Sequence, residues 1–140
     1  MSNGVDNWGS LPYLERMMQF SSARGTMLND SIANIDTPGY RHRDVSPEEF
    51  QAAMRDAMAE TQRRGGEAHF KNTDSLRFQD GRIELRPEAS SDNLLFHDGN
   101  DRSLEQLMQG LSENFLAFRY AAELFRNTHQ VLNSAIQLRP

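Results

Sequence analysis

Two stretches of this 140-residue chain repeat their apolar positions at alternating steps of three and four. The first runs Leu11, Leu14, Met18, Ser21, Gly25, Leu28, Ile32 and Ile35. The second runs Leu104, Met108, Leu111, Phe115, Phe118, Ala122, Phe125, His129, Leu132 and Ile136. This is the spacing of a coiled-coil seam, and it predicts two long terminal helices over residues 10–36 and 103–138. Met17, Phe20 and Met27 broaden the first stripe, while Ser21 and Gly25 thin its middle. Gly25 costs about 1 kcal/mol against alanine inside a helix; such small residues either let another helix come close or make a soft point. Ser10 is placed to cap the first helix, with Pro12 in the first turn. Ser103 with Gln106 reads as a capping box that starts the second. The second run lacks proline throughout and glycine after Gly110, and at 1.5 Å per residue it reaches about 50 Å. That length suits an extended assembly better than a compact small domain.

Between the two lies a weaker pattern, over residues 37–102. Ser46-Pro47-Glu48-Glu49 combines an N-cap serine, a proline at N1 and a glutamate at N3, which predicts a short helix over 47–62. Phe50, Met54, Ala57 and Met58 give it a thin apolar face, and Gly65-Gly66 ends the segment. Residues 75–86, "SLRFQDGRIELR", alternate with period two around Asp80-Gly81, the dipeptide of a type I′ hairpin turn. That turn pairs Phe78 with Ile83 and Leu76 with Leu85 on one side, and Arg77 with Glu84 on the other. A hairpin with two apolar pairs is marginal alone and needs a surface to lie on. Residues 1–9 and the polar stretch after Pro87 read as flexible. The fold class is therefore mainly α: two long terminal helices as an antiparallel coiled-coil-like pair, a short middle helix and a small β-hairpin. The ends of the isolated chain are expected to be soft, because each long stripe needs more cover than a chain of this size offers.

Composition narrows the partners. Net charge is −5, with a pI near 5.3, which argues against a general nucleic-acid binder. Mean hydropathy is −0.72, so the core is modest. No apolar run approaches the ~20 residues of a membrane span, and the first residues lack the basic and apolar regions of a cleavable secretory signal. There are no cysteines, which excludes disulfides and thiolate chemistry.

Candidate chemistry is sparse. His42, His69, His97 and His129 share no metal-ligand spacing, and His129 occupies a seam position. No phosphate-binding loop, nucleophile elbow or dinucleotide fingerprint occurs. Glu48 and Glu49 are adjacent on a helix and do not face each other; the capping box accounts for Glu49. Nothing here argues for an enzyme, a metal or a cofactor.

The first seam ends in "DSIANIDTPGY". Thr37-Pro38-Gly39-Tyr40 carries proline and glycine at the two central positions of a type II turn. Proline also stops the helix by restricting Thr37, and Asn34 and Asp36 are suited to bonding backbone groups near its end. The turn is expected to leave Tyr40 and the arginines Arg41 and Arg43 facing outward.

The longer string "NDSIANIDTPGYRHRDV", Asn29 to Val45, resembles the signature of the bacterial flagellar rod, hook and filament-associated axial proteins. Asn34, Thr37, Pro38, Tyr40 and the Arg43-Asp44 pair match it. Asp98, Gly99, Asn100, Leu104, Glu105, Met108, Glu113 and Asn114 fit the C-terminal pattern of the proximal-rod members. Arg102 and Phe118 depart from it, standing where the family commonly has valine and tyrosine. The likeness covers about residues 11–50 and 97–137. It implies a structural subunit of the basal-body rod that is exported by the flagellar type III apparatus and polymerises into the drive shaft needed for motility. The implied partners are other rod proteins, the basal export-gate and adapter proteins, and further copies in a helical array, with no nucleic acid and no membrane insertion. The implied location is the periplasmic rod of the basal body. The implied functional residues are the turn motif (Asn34, Asp36, Thr37, Pro38, Gly39, Tyr40, Arg43, Asp44) and an assembly seam of Leu14, Met18, Leu28, Ile32, Leu111, Phe115, Phe118, Phe125, Leu132 and Ile136. The rival reading is a soluble helical adaptor or export chaperone that binds one partner.

Overall fold

A computed structural model of the chain describes residues 9–87 and 100–138. Its elements are α1 (Leu11–Ala33), α2 (Pro47–Arg64), β1 (Leu76–Gln79), β2 (Arg82–Leu85) and α3 (Asn100–Gln137). The fold is mainly helical, as the periodicity predicts, with one antiparallel hairpin. The flexible stretches expected at residues 1–8 and 88–99 lie outside the described residues.

The α1 helix has two faces, each with its own cover. On one side Tyr13 and Phe20 enter a core with Val45, Phe50, Ala53, Met54, Ala57 and Leu76. Phe20 stacks on Phe50 of α2 with ring centroids 4.2 Å apart and planes 6° from parallel. Tyr13 meets the edge of Phe70 and shares a 3.0 Å hydrogen bond with the Thr61 hydroxyl. Offset aromatic pairs of this kind add about 1 kcal/mol beyond the area they bury. The middle segment thus holds most of the core.

The hairpin keeps the register that its alternation dictates: Leu76 opposite Leu85, Phe78 opposite Ile83 and Arg77 opposite Glu84. Asp80 and Gly81 have φ of 52° and 74°, the left-handed pair that a type I′ turn requires. The surface it needs is α1, where the Gln19 side-chain amide donates to the Gly81 carbonyl at 3.1 Å. Leu76 is wholly buried.

Three caps differ from expectation. Ser46 does cap α2, accepting from the Glu49 backbone N–H. The Glu49 carboxylate does not close the box. It accepts instead from the Thr73 hydroxyl and from the Ser75 N–H at 3.2 Å, and so fixes the approach to β1. Ser10 stands at the N-cap of α1 without a side-chain cap bond; its carbonyl accepts from Leu14 N–H at 3.0 Å. Ser103 is not the start of α3, which begins at Asn100, and it is buried inside the helix.

The Thr73 hydrogen bond, followed by that of Ser75, holds the Glu49 carboxyl below the usual range. A depressed carboxylate contributes stability above its unfolded value and loses it as pH falls through the folded value. Glu49→Gln is therefore expected to cost about 1 kcal/mol at neutral pH. The deficit should vanish on acidification, which urea unfolding at neutral and acid pH would show. A deficit independent of pH would rule out the carboxylate as its source.

Candidate assembly interface

The second face of α1 lies against α3. The Asn114 side-chain amide donates to the Ser21 carbonyl at 2.6 Å. A Cβ added at Gly25 would sit 3.2 Å from Asn114, and one at Gly110 would sit 3.8 Å from Arg24 and 3.9 Å from Leu28. Positions rising along α1 meet positions falling along α3, so the pair is antiparallel. The contact is built from small groups: Ser21, Gly25 and Ser31 face Ser103, Gly110, Asn114 and Ala121. Leu28 is the one large side chain deeply buried there.

This moves the contact face of α3. Its intramolecular stripe is Ser103, Leu107, Gly110, Asn114, Ala117 and Ala121, each one residue before a position of the apolar seam read from the sequence. One residue is a turn of about 100° on a helix. The seam itself is left at the flank. Met108 and Phe115 are more than half exposed, Phe118 is exposed, and Leu111 and Phe125 are half-buried. The α1 pairing therefore covers this stripe only in part. The physical reason is distance: glycine and serine on both helices let the backbones approach, and that close approach recovers dispersion contacts that bulky side chains would hold apart. On α1 itself Leu28 is buried, while Leu14, Met18 and Ile32 are half-buried. Leu132 is half-buried and Ile136 exposed near the end of α3.

At the other end of α1 the turn motif takes the predicted form. Tyr40 N–H donates to the Thr37 carbonyl at 3.3 Å, and Gly39 has φ of 76°. Asn34 is the C-cap; its side chain donates to the Asp30 carbonyl at 2.8 Å and accepts from the Thr37 hydroxyl at 3.2 Å. Asp36, Pro38, Gly39, Arg41 and Arg43 are exposed. Tyr40 does not point fully outward: it is half-buried, edge-on to His42. His42 is buried, and that desolvation lowers its pKa.

Asp44 is engaged within the chain. Arg24 Nε and Nη2 donate to its two carboxylate oxygens, both at 2.8 Å, and Val45 N–H donates to one of them at 2.8 Å. Arg24 is buried whereas Asp44 is half open to solvent. This bidentate clamp ties the segment after the turn back onto α1. Asp44→Ala is expected to lower stability by about 1 kcal/mol, since it strands a largely desolvated guanidinium whose pair is only half screened. In a double-mutant cycle with Arg24→Met, thermal unfolding should show non-additive losses. Additivity would show that the clamp carries no energy.

Among the described residues no group of three His, Cys, Asp or Glu side chains is placed to hold a metal, and no helix is long and apolar enough to cross a membrane. An apolar groove of about 500 Å³ lies between α1, α2 and α3.

The chain is 23% identical, over 133 residues, to the flagellar basal body rod protein FlgB of Borrelia hermsii. The alignment spans 91% of this chain and 96% of that protein. No protein-family model and no solved structure matches the chain. A likeness to FlgB over nearly the full length of both proteins takes in the turn motif, the middle segment and most of both terminal helices.

Sequence reasoning overlooked Arg24 and the small-residue face of α3. A signal for the last was present, since Ser103, Leu107, Gly110, Asn114, Ala117 and Ala121 follow the same three-four spacing as the apolar seam. Polar and small residues at that spacing announce nothing by hydropathy alone.

Proposed function

We propose that this chain is a structural subunit of the bacterial flagellar basal-body rod, in its proximal part. In this reading it leaves the cytoplasm through the flagellar type III apparatus and polymerises with other rod proteins into the drive shaft, which motility requires. It meets the export-gate and adapter proteins at the base and further copies of itself along a helical array. The observation that carries the reading is the bare apolar flank of α3. Met108, Phe115 and Phe118 stay exposed beside the α1 contact on a helix of 38 residues, about 57 Å long at 1.5 Å per residue. A contiguous exposed apolar surface of this kind marks an interaction face. The turn-motif likeness and the similarity to FlgB add the flagellar context.

Assembly supplies what the single chain lacks, since a second subunit laid along this flank removes those rings from water. Head-to-tail contacts that do not close generate a filament, which fits a tubular shaft.

The test is mass spectrometry of detergent-purified hook–basal bodies from the source organism. Recovery in stoichiometric amount, resistant to salt washing, is the expected result. Absence there, with the protein abundant in the soluble fraction as a defined small complex, would favour the adaptor or chaperone instead.

A further inference from the structure

We propose that the recess between the start of α1, the Gly66–Phe70 segment and the hairpin turn binds a carboxylate, with Arg16 as its anchor. The proposal is independent of the rod reading above and of the surfaces that reading uses.

Arg16 is the residue that calls for a ligand. It stands early on α1 and is only 8% exposed, and its Nε and Nη1 have no hydrogen-bond acceptor among the described residues. A guanidinium keeps its charge when buried, so donors left without acceptors are costly. What the fold supplies falls short of a pair. The Glu15 carboxylate is half exposed and stands 3.7 Å from Nη1, too far for a hydrogen bond. The guanidinium lies over the Phe70 ring, 5.3 Å from its centroid. That contact favours the cation, but the ring offers no acceptor in the plane of the N–H groups. Gln19, one turn along α1, does not complete the set. Its Nε2 donates to the Gly81 carbonyl, and its Oε1 makes no hydrogen bond either.

The recess beside Arg16 has a volume of about 620 Å³. Arg16 lines it together with Gly9 and Pro12 from the start of α1, Phe70, and Asp80-Gly81 of the hairpin turn, so an occupant touches the buried side chain directly. The positive end of the α1 dipole lies at the same wall, and the first turn of that helix holds no acidic side chain to meet it. A Cβ at position 81 would sit 3.6 Å from Nη2; with glycine there, no side chain is laid against that nitrogen.

The charge count selects the class of ligand. One buried positive charge is matched by one negative charge, and a carboxylate is the planar, two-oxygen partner of a guanidinium fork. A phosphate dianion would bring a second negative charge. Glu15, Glu67 and Asp80 stand exposed at the same wall to repel it, with exposed Arg82 to offset one of them. Two kinds of carrier fit this chemistry, a free small acid and an acidic side chain on a polypeptide, and the test separates them.

The purified full-length chain, nitrogen-labelled, is titrated with sodium acetate, with sodium chloride at equal ionic strength as the control. Two-dimensional NMR follows the Arg16 Nε–H and the Gly81 amide. The expected result is a saturable downfield shift of Nε–H with acetate alone, at a Kd of about 1–10 mM for a ligand of so few atoms. Arg16→Lys keeps the charge and loses the planar fork, so acetate binding read at Gly81 should weaken about tenfold. Arg16→Met should lose it entirely. Acetate should raise the Tm of the parent chain and leave that of Arg16→Met unchanged. N-acetylglutamate N-methylamide binding about tenfold tighter than acetate would assign the site to an acidic side chain, and equal or weaker binding to a free small acid. A response that appears only in an Asp6→Asn chain would assign the carboxylate to Asp6 of the same molecule. No saturable response in either chain, or an equal response in Arg16→Met, overturns the proposal. So does an equal shift with chloride, which reports screening alone.

Discussion

Phe20→Ala is expected to destabilise the isolated chain by about 3–5 kcal/mol, the cost of removing a buried phenylalanine from a packed site. The side chain is 4% exposed and lies flat on Phe50. It is the point where α1, α2 and, through Tyr13 and Phe70, the hairpin side of the core converge. Small domains hold only about 5–15 kcal/mol in total, so this one substitution should remove much of the cooperative unfolding transition. Urea titration followed by circular dichroism measures it. Phe20→Leu keeps most of the volume and should cost less than half as much. A loss under about 1 kcal/mol for the alanine variant would mean that the aromatic stack is incidental and the chain is held by the α1–α3 contact.

Phe115→Ala should do the reverse. The ring is 57% exposed on the flank of α3, so monomer stability should change by no more than about 0.5 kcal/mol. In an assembled rod the same ring is proposed to be buried, and its loss should weaken each subunit contact by about 2 kcal/mol, roughly thirty-fold in affinity. Because every subunit carries the defect, swimming should fail while secretion of the variant continues. Phe118→Ala, at 36% exposure, should behave alike with a small cost to the monomer as well. Complementation of a deletion strain, scored in soft agar and by recovery of basal bodies, separates the two effects. Normal swimming by both variants would remove the flank from the assembly surface.

These opposite expectations for two phenylalanines come from structure. In the sequence each is an apolar residue in a helix-spaced stripe. Periodicity reports which side chains favour leaving water; it does not report whether the cover comes from the same chain or another. For Phe20 the cover is α2, whereas Phe115 stays 57% exposed with the Arg119 guanidinium 5.9 Å from its ring centre.

Local rules by themselves determined the elements. The three-four spacing yields α1 and α3, and Ser46-Pro47 starts α2. Asp80-Gly81 sets the hairpin register, and Pro38-Gly39 sets the turn after α1. Each depends on backbone preferences within a few residues, which neighbours in sequence suffice to impose. Tertiary structure decided which faces meet. Glu49 left its capping box for Thr73 and Ser75, Asp44 found Arg24, and the α3 side of its contact with α1 passed to Gly110 and Asn114. Those pairings join residues up to 93 positions apart. They turn on how closely two backbones can approach, a distance that hydropathy does not encode.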